Sequence, residues 1–508
     1  MRKLIWTIAL ACAITTGFGQ QVLTEQEAIS EANLSFQIGD YLEVHTLLQP
    51  WSESIRSKPD VLFQFGVSCY NLNAYHEKGF KIIEEAYQLG VKEAAFYYGN
   101  YLLERNRLSE ALKVARTMDS SDKRMKLESH INNALYYIAR PEPVWIEHLG
   151  DAVNSEYSEH TPIIGRNDSI IYFTSHRPFS EKSIQDLAGL YDENIYFSTR
   201  EKKGWSPAQA LPGSINKDLN ESVVWRNEDE MLVFKTSRDL TSSDLWHAHR
   251  KGDEWKLSSR LKQPINSKWS EKGATKNQNG NVIIFSSDRP GGFGGFDLYR
   301  VVEFGNGKLS LPVNLGPDIN SSHDEISPFL LYDDKTLFFA SDRPESMGGF
   351  DIFYSVQVDD STYERPSNLG YPINTSGDDA HMTVSGNGKS GYYARSRSTN
   401  RADFDIYKCN LPGFNIRATV FRIRFELEES KDLENAEIAL FTEDFSQLKG
   451  IYTPNRHDRI VVVLMPNESG ILGVDLPGYE SVEQELSFIS AQDIIERELV
   501  IKLTKNTE

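Results

Sequence analysis

From Glu159 to Tyr407 the chain repeats one pattern five times, and a repeat of this period leaves few folds open. Each copy has an acidic residue, an apolar strand ending in an Arg-bearing turn, and a hydrophobic strand led by Asp or Asn. The clearest copies are Ser287-Asp288-Arg289-Pro290 followed by Gly294-Gly295-Phe296-Asp297-Leu298-Tyr299, and Ser341-Asp342-Arg343-Pro344 followed by Gly348-Gly349-Phe350-Asp351-Ile352-Phe353. The turn arginines are Arg177, Arg238, Arg289, Arg343 and Arg397. The strand-leading residues are Asn194, Asp244, Asp297, Asp351 and Asp405, spaced by 50, 53, 54 and 54 positions. Short strands at such a period mark the blades of a β-propeller. Glu159, Glu221, Glu271, Glu325 and Asp379 recur in step with them. Arginine forks onto carboxylates, and Asp at a tight turn accepts backbone N–H groups. The acid, the Arg and the Asp or Asn are therefore read as one fastener per blade, sharing a cation. A catalytic group is needed once, so a set repeated five times is read as structural.

The same registration says how the ring closes. A fourth element recurs near each blade's outer edge, at Gln209 to Asn216, Leu261 to Asn266, Leu315 to Asn320 and Leu369 to Asn374. It is missing after Tyr407 and stands instead before the first blade, at Val144 to Gly150 with Val153-Asn154. An N-terminal strand that completes the last blade leaves no exposed sheet edge. Five blades over residues 141–411 follow.

Residues 22–140 have helical spacing. Turn-like segments before Tyr41, Tyr75 and Leu108 are 34 and 33 apart, the period of the tetratricopeptide repeat. Second helices are expected at Tyr41 to Pro50, Tyr75 to Leu89 and Leu108 to Met118, with Ser121 to Tyr137 closing the array. First helices such as Asp60 to Leu72 and Glu93 to Glu104 would form a concave face, with Gln64, Tyr97 and Asn100 as candidate partner contacts. From residues 414 to 506 the texture changes to strand-length apolar runs between Gly, Pro, Asn and Asp, which fits a small antiparallel β-sandwich. The fold class expected is thus multidomain: an all-α tetratricopeptide-like array, a five-bladed propeller and a C-terminal sandwich.

Residues 1–20 read as a secretory signal, with basic Arg2 and Lys3, an apolar stretch from Leu4 to Thr16 and a Gly17-Phe18-Gly19 cleavage site. Ala9-Leu10-Ala11-Cys12 loosely resembles a lipobox, but the plain signal is the better reading. Cys69 and Cys409 are too far apart in the chain to suggest a disulfide scaffold, and Cys69 is expected to pack as a small apolar group. The formal charge of −19, which becomes −21 without Arg2 and Lys3, repels nucleic acid and anionic lipid, and is read as keeping a large exported protein in solution; no nucleic-acid partner is expected.

Function should lie where the fivefold symmetry breaks. Blade one carries an insertion, Pro178 to Tyr191, and has His176 where two other blades have Asp. Blade two carries His247 and His249, which share one face of a strand and would suit a metal only with a third converging ligand. Trp246, Trp255 and Trp269 are candidates for a glycan or peptide groove, although propellers also bury Trp between blades. No H-E-x-x-H, G-x-S-x-G or paired C-x-x-C is present, and the Gly386-Asn387-Gly388-Lys389-Ser390 run lacks the context of a phosphate loop. No cofactor, metal or catalytic residue is expected from these motifs, and no enzyme.

The Ser-Asp-Arg-Pro and Gly-Gly-Phe-Asp motifs at 287–299 and 341–353 resemble the WD-like periplasmic repeats of Bacteroidota envelope proteins. The order of signal, helical repeats, propeller and sandwich is similar to OmpA-family proteins of that group, whose sandwich is carboxypeptidase regulatory-like. That resemblance implies an exported, periplasmic, outer-membrane-associated protein. It also implies a non-enzymatic adaptor for envelope proteins, of the kind that serves type IX secretion or gliding. The OmpA-like domain of such proteins is not found before Glu508, so direct peptidoglycan binding is not expected. A glycan- or peptide-binding propeller and a cryptic propeller hydrolase are the rival readings. A hydrolase would need a convergent carboxylate or Ser–His set in a single pocket.

Overall fold

The computed structural model describes residues 23–506 except 73–74, 166–167, 182, 184, 186–189, 217–219, 228–229, 237–241, 305–306, 360–361, 398–402, 412–416, 428–432, 434, 455–457 and 490–493. The expected signal, Cys12, Arg238 and part of the blade-one insertion lie outside the described residues. The chain forms two compact units, divided between Ala94 and Ala95. Among the described residues, no helix is long and apolar enough to cross a membrane.

The first unit contains α1 (Glu25–Gln37), α2 (Tyr41–Leu48), α3 (Pro59–Asn71) and α4 (His76–Gln88). Thr24 and Glu27 form a reciprocal capping box that starts α1, and Pro59 opens α3 where a missing N–H costs nothing. The apolar faces meet around Ala32, Val44, Leu48, Phe65 and Ile83. Helices α3 and α4 approach so closely that a Cβ on Gly79 would lie 2.3 Å from the Tyr70 nitrogen. Cys69 packs in this core as expected, and burial pushes its thiol up to about 11. The helices fall where the periodicity places them, and they divide between the two units. The helices α5 (Ala94–Glu104), α6 (Leu108–Ala115) and α7 (Asp122–Ile138) belong to the second unit, with the β-structure.

In the second unit the β-structure begins with β1 (Ile146–His148). Blade one is β2 (Glu159–Ile164), β3 (Ile170–Ser175) and β4 (Asn194–Glu201), with β5 (Gly204–Trp205) and β6 (Gln209–Ala210) both paired to β4. Blade two is β7 (Glu221–Arg226), β8 (Glu230–Thr236), β9 (Ser243–Lys251) and β10 (Glu254–Arg260). Blade three is β11 (Glu271–Lys276), β12 (Val282–Ser287), β13 (Asp297–Val302) and β14 (Val313–Asn314). Blade four is β15 (Glu325–Leu330), β16 (Thr336–Ser341), β17 (Asp351–Val356) and β18 (Ser367–Asn368). Blade five is β19 (Asp379–Val384), β20 (Ser390–Ser396) and β21 (Phe404–Asn410), completed by β1. The first strands of the five blades touch in the cyclic order β2, β7, β11, β15, β19 and back to β2, so the sheets form a closed β-propeller. Closure by the N-terminal strand is as expected, with Ile146 opposite Cys409 and His148 opposite Tyr407.

The blades are held by three devices rather than the single fastener expected. The first is an ion pair between the acid and a cation. Glu159, Glu221, Glu271, Glu325 and Asp379 are each 0 % exposed. Arg177, Arg289 and Arg343 reach Glu159, Glu271 and Glu325 at 3.0, 3.1 and 3.0 Å, and the Ser opposite each acid also bonds to it. In blade five the position opposite the acid is itself the cation: Arg395, and not Arg397, binds Asp379 at 2.7 Å. Arg397 instead bonds to Asp403 and to the Ser155, Glu156 and Tyr157 carbonyls of blade one. In blade two Lys235 sits opposite Glu221 and pairs with it at 3.0 Å.

The strand-leading Asp is a separate device. Asp297 accepts from the Phe293 and Gly294 N–H groups and from Asn314, and Asp351 accepts from Met347 N–H and Asn368. A Cβ on Gly292 would lie 1.9 Å from the Asp297 carboxylate, which is why the turn is glycine-rich. The remaining members vary: Asn194 donates to the Asp192 carbonyl, Asp244 pairs with Arg260 at 2.6 Å, and Asp405 with His148 at 3.0 Å. The third device is a buried Asn that grips both backbone groups of the residue following the strand leader. Asn154 grips Ile406, Asn216 Ile195, Asn266 Leu245, Asn320 Leu298 and Asn374 Ile352, all at 2.8–3.0 Å.

Helix α7 docks on the blade-four turn. Lys126 pairs with Asp342 at 2.6 Å, Asn133 donates to the Pro344 and Ser346 carbonyls, and buried His130 meets the Arg343 carbonyl at 3.2 Å.

The C-terminal part is a sandwich. One sheet is β25 (Arg459–Leu464), β22 (Thr419–Leu427) and β28 (Ile495–Leu503). The other is β24 (Leu448–Tyr452), β23 (Glu437–Phe441), β26 (Ser469–Asp475) and β27 (Val482–Ser487). Both sheets face a core that includes Phe421, Leu440, Val462, Leu472 and Leu503. The expectation of all-antiparallel pairing fails at one place, since β22 and β28 run parallel.

Candidate functional site

Each of the five inner strands breaks register near its start, at bulges between His160 and Ile163, Val223 and Trp225, Lys272 and Ala274, Ile326 and Phe329, and Ala380 and Thr383. The bulge swings a residue out of the ladder. Thr161 (φ 46°), Ser327 (φ 53°) and His381 (φ 59°) take left-handed backbone conformations that side-chain-bearing residues rarely adopt. Gly273 (φ 54°) takes the same form, and a Cβ there would meet the Ser327 backbone at 3.2 Å. Strain of this kind persists only where the surroundings enforce it, and such positions cluster at functional sites.

These residues line a funnel on the propeller axis with a cavity volume of about 470 Å³. Its wall takes residues from all five inner strands, joined by Tyr191, Asp192, Glu193, Phe234 and Phe404. Polar side chains cross-link the blades around it. Thr161, Thr174 and Ser222 form a buried hydroxyl cluster at 2.7–3.3 Å, Thr383 donates to the Pro162 carbonyl at 2.8 Å, and Ser327 meets His381 Nδ1 at 2.8 Å.

The chemistry is concentrated on blade one. His160 Nε2 lies 3.5 Å and His176 Nε2 3.6 Å from the same Glu193 oxygen, Oε1. The ring of His381 stacks on His160 with centroids 5.4 Å apart. The Glu193 main chain is anchored by its N–H donating to the Asn220 side chain at 2.8 Å and its carbonyl accepting from Glu221 N–H at 3.0 Å. His176 Nδ1 is 2.6 Å from the Tyr191 carbonyl, so that nitrogen carries the proton. Burial by itself would raise the Glu193 carboxyl, but contact with His160 and the charges of His160, His176 and His381 outweigh it and hold the group at about 2. Burial, then the charge of His160, push His381 down to about 3 against the pull of Glu193. Glu193 is thus ionised and His381 neutral near neutral pH.

Of the candidates from sequence, His176 is in this site. Its equivalents Asp288 and Asp342 accept the Ser270 and Asp324 N–H groups, and the His gives up that latch. Glu193 was missed, although the motif signalled it: Phe-Asp at 296–297 and 350–351 becomes Glu193-Asn194 in blade one. His160 and His381 had no such signal. The second pair, His247 and His249, lines a separate cleft of about 970 Å³ between propeller and sandwich, with Arg422, Arg424 and Arg459. Trp255 is 2 % exposed in the core between blades one and two, so it forms no groove. Trp246 and Trp269 are half-buried under Lys235 and Lys268. Asn100 is tied to the Phe96 carbonyl of its own helix and Tyr97 packs edge-on against Phe96, while Gln64 is half-buried in the first unit. None of the three is a freely exposed contact.

No family model and no curated protein matches the chain. Several solved structures resemble part of it. A glycoside hydrolase aligns at 10 % identity and a TM-score of 0.39, over 57 % of this chain and 96 % of its own. The family 117 glycoside hydrolase Zg3597 of Zobellia galactanivorans aligns at 12 % and 0.33, over 53 % and 89 %. The RS223 beta-xylosidase aligns at 10 % and 0.35, over 53 % and 97 %. Likeness at this level transfers no substrate or residue role. The expectation of a non-enzymatic adaptor is nevertheless corrected. It rested on the family resemblance and on the absence of catalytic motifs, whereas the funnel holds a carboxylate and three imidazoles, the convergent set that the hydrolase reading requires.

Proposed function

We propose that the propeller is a hydrolytic domain whose axial funnel binds a small polar substrate, a sugar-like ring being the best fit to its walls. One observation carries this reading: Glu193 and the imidazoles of His160, His176 and His381 converge in a single cavity of about 470 Å³. That volume is in the range of small-ligand sites. A carboxylate beside imidazoles supplies the proton transfers that hydrolysis requires. Tyr191, Phe329 and Phe404 offer apolar ring faces, and Asn220, Ser222 and Ser327 offer hydrogen-bonding groups, a mixture that suits alternating C–H and O–H surfaces.

Incubating the chain with a panel of nitrophenyl glycosides, and with oligosaccharides analysed by chromatography, tests this reading. The expected result is turnover that falls at least about 100-fold in Glu193→Gln with unchanged thermal unfolding. Binding without turnover reduces the reading to a glycan-binding module, and neither binding nor turnover overturns it. The helix pairs α1–α2 and α3–α4 are read within this proposal as tetratricopeptide-like hairpins, supported by their 34-residue spacing. Export to the envelope, read from residues 1–20, is part of the same proposal, and cell fractionation tests it.

A further inference from the structure

We propose that His160, His176 and Glu193 form a site for one divalent ion of the zinc type on the blade-one wall of the funnel. The donor atoms, two imidazole nitrogens and a carboxylate oxygen, lie within 4.8 Å of one another. The two nitrogens stand 3.5 and 3.6 Å from Glu193 Oε1. Neither distance makes a good hydrogen bond, for which about 2.7–3.2 Å is normal. Both match donors arranged around an ion, because metal bonds of about 2.0–2.1 Å in a tetrahedral site put ligand atoms about 3.4 Å apart.

Two further observations point the same way. The Tyr191 carbonyl takes the Nδ1 proton of His176 at 2.6 Å, which leaves Nε2 with a lone pair facing the cluster. Outer partners of this kind orient metal-binding histidines. The other carboxylate oxygen, Glu193 Oε2, is buried without a hydrogen-bond partner among the described residues, an expensive state for a polar atom. Two imidazoles with one carboxylate select zinc over calcium or magnesium, which prefer all-oxygen shells. Three protein donors leave a coordination position open, the arrangement in which zinc acidifies a bound water. The ion site rests on donor geometry and holds independently of whether the funnel hydrolyses anything.

The test strips the purified chain with chelator, loads it with zinc chloride, dialyses it and counts metal by mass spectrometry. One zinc per chain is expected in the unaltered protein and in a His247→Ala/His249→Ala variant. Affinity should fall at least about tenfold in His176→Ala and in Glu193→Gln. Equal zinc in the blade-one variants, or none in the unaltered chain, overturns the proposal. Should a variant fail to fold, cobalt titration of the unaltered chain decides: a visible absorption spectrum of tetrahedral cobalt supports the site, and its absence overturns it. Zinc bound without any hydrolysis would leave the metal site standing and count against the hydrolytic reading. Hydrolysis by the metal-free chain would support hydrolysis and separate it from the ion.

Discussion

Arg395 and Arg397 are two residues apart, and only one of them fastens blade five. Arg395 binds buried Asp379 and reaches the Pro372 and Ile373 carbonyls. Those are the places that Arg343 and Arg289 reach in their own blades, at the Ile319 and the Pro264 and Ile265 carbonyls. The guanidinium occupies an equivalent pocket from a backbone position two residues earlier. A buried carboxylate that loses its cation is left with an uncompensated desolvation cost. Arg395→Ala and Arg343→Ala should each cost about 2–4 kcal/mol in denaturant unfolding of the whole chain. Arg397→Ala should cost about 1 kcal/mol or less from its more exposed pairs. Equal losses at 395 and 397 would show that the fastener is shared between them.

Helix α7 ties the helical segment of the second unit to blade four through a histidine that the fold keeps neutral. Burial, and then the charge of Lys126, push His130 down to about 4, against the pull of the Arg343 carbonyl and Asp342. In the unfolded chain the group titrates near 6.5. Between about 6.5 and 4 the unfolded state therefore binds more protons, so the stability present at neutral pH is lost as pH falls through that window. Neighbouring His323 is depressed in the same direction and adds to the slope. Melting temperature should drop between pH 7 and 4.5, and His130→Gln should flatten the drop by about 1–3 kcal/mol in stability terms. An unaltered slope in the variant would remove His130 from the account.

At the scale of the whole molecule, the ring depends on a few residues far from the strand they complete. Asn154 lies 252 positions before Ile406 and grips both of its backbone groups. Buried amide and carbonyl groups left without partners cost about 1–3 kcal/mol each. Asn154→Ala should lower stability by about 2 kcal/mol, and a chain beginning at Tyr157 should expose the β21 edge and aggregate. A truncated chain that stays monomeric with an unchanged melting temperature would place the closing strand elsewhere.

Periodicity alone determined the propeller, its five blades and the strand that closes it, because blade packing demands the same alternation at each turn of the ring. Helix positions were legible for a related reason: Tyr41 and Leu108 begin helices, and Tyr75 directly precedes one, where the polar turns end. Partition of those helices between two units was not, since it depends on contacts such as Lys126 with Asp342 that leave no periodic trace. The Asn of the recurring outer element was visible as a repeat, but its grip on the strand required the buried geometry. The site divides in the same way. His176 was visible as a break in the repeat, and Glu193 could have been found as another. His160 and His381 come from different blades, 221 positions apart, and only closure of the ring stacks them. Repetition is written along the chain, but convergence on the axis is a property of the ring, which only the tertiary structure creates.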